Sequence, residues 1–417
     1  MKIKILVIAS MCISTSAFAG GYRVALQGEQ ATGMGHAGVA MTESAEVVFF
    51  NPASMSLLTE QTHISAGITI IDSKTKYQNT AANVAAETDN PYGTPLYLYY
   101  VRKYDERISL GLGVYTPYGN TVEWKKDWPG SHLVNNISLK TIFVQPTISF
   151  KANNKLSVGF GPIYVNGSVE FNRNLTTGLT ENGNRSNVTV EAKGITDWGM
   201  NFGVLFKPAE ALAVGINYRS LVNLNANDEK ANFENIPDTF KSTYPADTTF
   251  DAKLVLPAEL TIGISYNLNS STILAVDINR TYWSEYKSLD LTFANGAESN
   301  NLRNYNDVNV YRVGIQHKLS NALTIRGGAY FDSTPISDGY HTPETPRNDS
   351  TGLTAGASYK ITKQMEVDVS FLYLMFKEFK ASYDYIDDNN PATLDTSFKG
   401  EYISSVKAIG FGLNYKY

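Results

Sequence analysis

Residues 260–268 read LTIGISYNL, and apolar residues alternate along them with small or polar ones. Successive side chains of a β-strand point to opposite sides, so Leu, Ile, Ile, Tyr and Leu share one face, while Thr, Gly, Ser and Asn share the other. The same division recurs at 212–219 and 365–373. This period predicts strands with one fully apolar face and one face of small, polar and charged residues.

Connections of two lengths separate the alternating segments. Short ones at about 105–106, 153–154, 208–210, 269–270, 320–321 and 362–363 alternate with long polar ones at about 73–93, 118–136, 172–187, 225–250, 294–306, 336–349 and 381–400. Short periplasmic turns and long outer loops are typical of bacterial outer-membrane barrels. We therefore predict an all-β fold, a 14-stranded antiparallel transmembrane β-barrel. Its strands are predicted at about 61–72, 94–104, 107–117, 137–152, 155–171, 188–207, 211–224, 251–268, 271–293, 307–319, 322–335, 350–361, 364–380 and 401–417.

The first nineteen residues have the features of a secretory signal peptide. Lys2 and Lys4 form a basic start, an apolar core follows, and Ala17-Phe18-Ala19 fits an A-x-A cleavage site. The apolar core is about half of the ~20 residues that a membrane-spanning helix needs. We assign residues 1–19 to the signal peptide and expect an exported chain that begins at Gly20.

Composition excludes several classes of function. Cys12 is the only cysteine and lies in the predicted signal, so no disulfide framework is expected. Removal of Lys2 and Lys4 moves the net charge from −5 to −7, which argues against nucleic acid as a partner. The five histidines have no ligand spacing. We predict no metal site, no cofactor and no catalytic residue.

Residues 20–58, GGYRVALQGEQATGMGHAGVAMTESAEVVFFNPASMSLL, differ from all that follows, because they are rich in Gly and Ala and contain no long alternating run. The lumen of a barrel widens with the number of strands, and about 16 strands already leave an aqueous channel. We therefore predict that residues 20–60 form a hatch, or plug, inside the lumen of a barrel formed by residues 61–417.

Two motifs in the hatch allow more than one interpretation. Gly33-Met-Gly35-His-Ala-Gly38 matches G-x-G-x-x-G, but a dinucleotide site needs a preceding strand and a following helix. Tight folding of a plug explains these glycines better. Asn51-Pro52-Ala53 is either a bend into the first strand or a constriction across the lumen, and we favour the constriction.

The hatch motifs belong to a longer series that runs through the chain. Its later members are Gly113-Val-Tyr-Thr-Pro117-Tyr-Gly119, Glu123-Trp124, Gln145-Pro146, Trp283-Ser284, Leu323-Thr-Ile-Arg326 and Thr334-Pro335. In their order and spacing these motifs resemble the FadL/TodX/OmpP1-like outer-membrane transporters of long-chain fatty acids and hydrocarbons, over essentially the whole mature chain. Pro343-Glu-Thr-Pro-Arg347 departs from the tighter Pro-Asp-x-x-Arg of that family, which leaves the role of Glu344 open.

The resemblance implies lateral release through a gap in the barrel wall, where the third strand is kinked. In this sequence that strand runs from Arg107 to Pro117. We expect Gly111 and Gly113 to weaken it, and Pro117 cannot donate a hydrogen bond to a neighbouring strand. An interrupted ladder beside the hatch would let a ligand leave sideways.

Charged residues of the barrel are expected on the lumen side, since a lipid-facing Arg or Lys costs ~2–4 kcal/mol at the bilayer midplane. Alternation places Arg312 and Arg326 there, and the resemblance adds Asp307 and Arg347. These four residues are the predicted lumen charge network. It either meets a ligand carboxylate, or holds the hatch, or stabilises the wall alone.

Together these features predict an outer-membrane transporter for passive uptake of long-chain fatty acids or other hydrophobic small molecules. The outer loops would capture the ligand, and Gly20, Gly21 and Tyr22 would shift to let it pass into the membrane lipid. Lateral release avoids exposing methylenes to water, at ~0.8 kcal/mol each. Tyr417 ends the last alternating strand and is the expected signal for the barrel assembly machinery. We expect a monomer.

Three alternatives remain at this point. A general diffusion porin would need an open polar lumen, which a plug would block. An outer-membrane lipase lacks a G-x-S-x-G motif here, although barrel enzymes can assemble a site from distant strands. An adhesin could use the long loops but would leave residues 20–58 without a purpose.

Overall fold

The structure is a computed structural model that describes residues 21–125, 127–175, 179–386 and 397–417. The predicted signal peptide and Gly20 lie outside these ranges.

Fourteen antiparallel strands form a closed barrel in the described part of the chain. Each strand pairs with the next, and β1 pairs with β14 from His63↔Lys416 to Gln78↔Glu401, which closes the ring. The predicted 14-stranded barrel is confirmed. The strands are β1 (Thr62–Asn79), β2 (Leu96–Lys103), β3 (Ile108–Tyr115, resumed at Gly119–Glu123), β4 (Asn136–Lys151), β5 (Leu156–Asn174), β6 (Asn187–Ala209), β7 (Leu212–Arg219 and Val222–Glu234), β8 (Asp247–Leu256 and Glu259–Asn267), β9 (Thr272–Thr281), β10 (Val308–Lys318), β11 (Leu323–Asp332), β12 (Ser350–Lys360), β13 (Met365–Phe376 and Phe379–Tyr383) and β14 (Phe398–Lys416).

Shorter elements lie before the barrel and in its outer loops. The N-terminal segment contains helices α1 (Glu29–Gly33) and α2 (Val47–Phe50) and the 3₁₀ helix Pro52–Leu57. The outer loops contain the 3₁₀ helices Asp238–Phe240 and Trp283–Glu285 and the short strands Val84–Glu87, Thr180–Glu181, Asn184–Arg185, Leu291–Phe293 and Glu298–Ser299. Strand β9 was predicted to reach residue 293 but ends at Thr281, because the 3₁₀ turn follows. Across the described ranges, none of the helices has the length and apolar character needed to cross a membrane.

The alternating faces of the strands separate lipid from lumen. Ile262 and Ile264 on β8 are 47% and 48% exposed on the outside, and Val313 on β10 is 49% exposed. Thr261 and Arg312, on the opposite face of the same strands, are buried. The outward side chains form the apolar belt that a barrel presents to lipid.

Residues 21–58, which we call the hatch, lie inside this ring and are almost entirely buried. Small wall residues make the space: a Cβ added to any of several inward-facing glycines would meet hatch atoms within about 3 Å. These glycines lie on eight strands spread around the barrel: Gly111, Gly159, Gly203, Gly215, Gly314, Gly328, Gly356 and Gly410. A segment that touches strands on all sides of a ring is enclosed by it.

Candidate functional site

A large apolar pocket, which we call the outer pocket, lies on the loop side of the barrel. It encloses about 1230 Å³ of empty space, part of it open to solvent. Its wall comes from the inward faces of β4 to β8 and from loop residues near 286–305 and 342–345. A pocket of this size and character suits a hydrophobic ligand. Most lining side chains are aliphatic or aromatic: Ile137, Leu139, Val169, Phe171, Val188, Val190, Ala192, Ile195, Leu224, Ala226, Phe250 and Leu254.

Tyr22 of the hatch lines one end of the outer pocket. Its ring packs edge-on against Trp283 and Tyr286, with centroids 4.9 and 5.6 Å away, and its hydroxyl donates a hydrogen bond to the carbonyl of Val255. Gly21 has a φ of +67°, and a Cβ there would lie 2.6 Å from the Trp283 ring. Any side chain at Gly21 would therefore disturb this packing.

The outer pocket also contains a buried ion pair between Arg303 and Glu344. Burial lowers the pKa of Arg303, but the carboxylate of Glu344 and the neighbouring tyrosines together raise that pKa above its usual value, so the guanidinium keeps its charge. Nearby, the hydroxyls of Tyr305 and Thr345 lie 3.0 Å apart. Burial raises the pKa of Tyr305 to about 12, which keeps the phenol protonated. Glu344, whose role the sequence left open, thus balances the charge of Arg303.

Arg23, the residue after Tyr22, lines a second cavity. This cavity is polar, encloses about 480 Å³ and is partly open to solvent. Arg23 donates hydrogen bonds there to Glu259 and Asp332, both at 3.2 Å, and to Asn279 at 3.0 Å. All are buried. Arg219 approaches Glu259 from the other side, with 3.7 Å between nitrogen and oxygen. Arg23 therefore ties the start of the hatch to β8, β9 and β11.

Other lumen side chains bind the hatch backbone. The carboxylate of Asp277 accepts hydrogen bonds from the Gly38 and Val39 amides at 2.8 and 3.1 Å. Arg312, from the predicted charge network, lines the polar cavity and donates to the His36 carbonyl at 3.4 Å. These contacts can fix the hatch within the lumen.

The wall is interrupted where β3 leaves the sheet after Tyr115. The hatch occupies the break: the Val24 amide donates to the Pro117 carbonyl at 2.7 Å, and the Gly119 amide donates to the Tyr22 carbonyl at 2.9 Å. Strand β3 then resumes at Gly119–Glu123, paired with β4. Pro117 lines the polar cavity, so this cavity adjoins the break.

The ladder is unbroken at Gly111 and Gly113, and whether these glycines weaken β3 stays a prediction. Both lie in continuous ladders, opposite Val101 and Tyr99 on β2 and opposite β4 on the other side. The lack of a side chain serves packing, because a Cβ at Gly111 would lie 2.9 Å from the Met55 sulfur. Glycine at these positions lets the hatch approach the wall.

Comparison with known proteins assigns the chain to a family. A sequence model described as "Outer membrane protein transport protein (OMPP1/FadL/TodX)" matches residues 10–417. The chain belongs to this family. Membership makes it an outer-membrane protein of a transport family, as the sequence predicted.

Relatives in this family match over nearly their whole length. Outer membrane protein P1 of Haemophilus influenzae is 24% identical over 463 residues, which cover 99% of this chain and 98% of that protein. The long-chain fatty acid transport protein of Escherichia coli K12 is 21% identical over 435 residues, covering 94% and 97%. A crystal structure of a Pseudomonas aeruginosa FadL homologue has the same fold, with a TM-score of 0.83 at 19% identity over 95% of this chain and 100% of that one.

The predicted lumen charge network is not a single cluster. Asp307, the residue before β10, forms an ion pair with Arg280 at 3.2 Å, and its place in a lumen network stays a prediction. Arg326 faces inward and donates to Gln316 at 2.7 Å. Arg347 is buried elsewhere and donates to Ser73 at 3.2 Å.

Asn51, Pro52 and Ala53 lie against the wall, away from the outer pocket. The Asn51 amide group donates to the carbonyls of Val39 and Val204 at 2.8 and 3.0 Å, and its oxygen accepts from the Ala53 amide. Pro52 begins the 3₁₀ helix, a position where its missing N–H costs nothing. The motif thus fastens the hatch to β6; whether it constricts a ligand path stays a prediction.

Proposed function

We propose that the protein takes up long-chain fatty acids, or other hydrophobic small molecules, passively across the outer membrane. The observation that carries the proposal is the apolar outer pocket, which opens toward the loops and meets Tyr22 of the hatch at one end. Burial of a methylene there recovers about 0.8 kcal/mol, so a long acyl chain can bind without an energy source. The fatty acid transport protein among the relatives supports this ligand class.

The proposed route continues past the hatch to the break in β3. A shift of Gly20, Gly21 and Tyr22 would connect the outer pocket to the polar cavity beside Pro117. The ligand would then leave sideways into membrane lipid, with no aqueous step. A general diffusion porin fits less well, because the hatch fills the lumen.

Filling the outer pocket tests the proposal. Ala226 is buried on the pocket wall, and Ala226→Phe would occupy space that an acyl chain needs. We expect at least tenfold weaker binding of a fluorescent long-chain fatty acid by the purified protein, and slower entry of fatty acid into protein-containing liposomes. Ala355→Phe, on the exposed face of β12, is the matched control and should change neither. Unchanged binding in Ala226→Phe would refute the assignment of the pocket.

A hydrocarbon is the second candidate ligand, and the pair Arg303–Glu344 favours it. The pair leaves no net charge for a ligand carboxylate. We expect Glu344→Gln to bind a fatty acid anion about tenfold tighter, or ~1.4 kcal/mol, because the anion would replace the lost partner of Arg303. Binding of the fatty alcohol of equal length, measured in parallel, should stay within about twofold. Equal changes for both ligands would show that the pair does not select for charge.

We also propose a monomer that is assembled by recognition of its last strand. Tyr417 is 58% exposed on the outside, and its backbone pairs with Thr62 at the seam of the barrel. An exposed terminal aromatic is accessible to an assembly factor before the seam closes.

A further inference from the structure

The barrel wall contains a second interruption, between β6 and β7. The two strands pair from Asn201↔Arg219 toward the periplasmic turn, and they pair again from Glu191↔Lys230 outward. Between these stretches, nine residues of β6 (192–200) face ten residues of β7 (220–229) without a ladder. Each strand bulges here against its other neighbour: β6 has one extra residue relative to β5 between Ala192 and Ile195, and β7 has one relative to β8 between Ala226 and Glu229. They separate and rejoin, and we call the opening in the ladder the window.

Side chains replace the missing ladder bonds. At the lower end of the window, which lies wholly in the described part of the chain, the Ser220 backbone amide donates a hydrogen bond to the Met200 carbonyl. The backbone amide of Asn223 donates a hydrogen bond to the Asp197 carboxylate at 2.9 Å. The backbone amide of Met200 donates one to the Ser220 hydroxyl, also at 2.9 Å. Unpaired backbone in a membrane costs several kcal/mol per group, so side-chain partners make a split in the wall tolerable.

Apolar side chains close the window from within. Val222 packs against Gly199, where a Cβ would lie 2.8 Å from the valine methyl. Behind it, both edges line the outer pocket: Ala192 and Ile195 from β6, and Leu224 from β7. Only side chains, which can rotate, therefore separate the outer pocket from the outside of the barrel at this point.

The position of the window matches the outer edge of the lipid. Trp198 at its margin is 62% exposed, and its ring lies 5.3 Å from that of Tyr164. Exposed aromatic residues mark the interface between lipid and water in barrels of this kind. Below them on β6, Met200 and Phe202 face outward with about half of their surface exposed. The window therefore opens at the level of the outer leaflet and above it.

We propose that the window is a lateral entrance, through which a fatty acid already dissolved in the outer leaflet passes directly into the outer pocket. This inference rests on the proposed function and adds the source of the ligand. The acyl chain would slide between Val222 and Ile195 while its carboxylate stays outside the barrel at the interface between lipid and water, away from the Asp197 carboxylate. Entry from lipid and exit at β3 would then use different openings.

A disulfide across the window tests the proposal. Gly199 and Val222 are close enough for one, since disulfides need Cβ atoms about 3.5–4.5 Å apart, and Cys12 is the only natural cysteine. The double variant Gly199→Cys/Val222→Cys is placed in lipid nanodiscs, oxidised or reduced. The matched control is Val313→Cys/Ala329→Cys, a directly opposed pair in the intact ladder of β10 and β11.

The way in which the fatty acid is supplied distinguishes entry from the lipid from entry from water. A pyrene-labelled fatty acid is supplied either dissolved in the nanodisc lipid or in water as a cyclodextrin complex. We expect the oxidised window variant to load from lipid at least tenfold more slowly, to load from water at its normal rate, and to recover on reduction. Val222→Ala should load faster from lipid. The proposal would be overturned if neither the disulfide nor Val222→Ala changed the rate of loading from lipid. It would also be overturned if the disulfide slowed loading from lipid and from water equally.

The outcomes for the unlocked protein distinguish the two proposals. If wild type binds the fatty acid in both arms and the disulfide changes neither rate, only the proposal that the window is an entrance is wrong. If wild type binds in neither arm, the proposed function falls and the window with it.

Discussion

Replacement of Gly203 by valine should turn a closed barrel into one that leaks small sugars. The Cβ position of Gly203 is occupied by the side chain of Asn51 and by the Pro52 ring. A larger residue would expel this part of the hatch, which then loses the hydrogen bonds of Asn51 to Val39 and Val204. Overpacking costs about 1–3 kcal/mol, and these bonds about 1 kcal/mol each. The hatch, held by such local contacts, should yield before the barrel.

Sugar efflux from liposomes and conductance in planar bilayers measure this effect. We expect wild type to retain the sugar, and Gly203→Val to release it at a rate at least tenfold above that of protein-free liposomes. Gly327→Val is the control, because no atom lies within 4 Å of the Cβ position of Gly327. Circular dichroism should show a folded barrel for both variants. A folded Gly203→Val barrel that stays sealed would show that Asn51 and its neighbours do not close the lumen.

The barrel could be predicted because its signal is local. The alternation at 260–268 follows from a two-residue period, and lipid on one side with the hatch on the other preserves that period along every strand. The same rule placed Arg312 in the lumen correctly. Asp307 was assigned to the lumen by the resemblance alone, because it precedes β10 and the alternation of that strand does not place it on the face of Arg312.

The contacts that hold the hatch have no local signal. Arg23 meets Glu259 and Asp332, which follow it by 236 and 309 positions. Nothing around Arg23 in the sequence distinguishes it from a solvated arginine. Gly111 shows a related limit. A glycine in a strand indicates a weak point or a close approach by another part of the chain, and the sequence around Gly111 does not show that Met55 approaches it. The window also has no clear sequence signal, because 192–200 and 220–229 each contain a bulge and remain nearly equal in length.

Replacement of Arg23 by methionine should loosen the first residues of the hatch. Breaking a buried ion pair from one side costs about 3–5 kcal/mol, because a charge is left without a partner. The Val24 amide, bonded to Pro117 at 2.7 Å, reports this directly by hydrogen exchange. We expect its exchange to become at least a hundredfold faster, since 1.4 kcal/mol is a factor of ten. Amides of β10 should not change.

Neutralising Asp332 should restore slow exchange at Val24 in the Arg23→Met variant, and neutralising Glu259 should not. This difference tells whether Arg23→Met acts through the lost charge or through the lost packing of the side chain. Glu259 keeps Arg219 at 3.7 Å when Arg23 is gone, whereas Asp332 has no second ion pair among the described residues. Adding Asp332→Asn to Arg23→Met should therefore slow exchange at Val24 by about tenfold or more. Adding Glu259→Gln should not, because it leaves Asp332 charged and deprives Arg219 of its carboxylate. Equal rescue by both changes would mean that Arg23 fixes the hatch by its size and not by its charge.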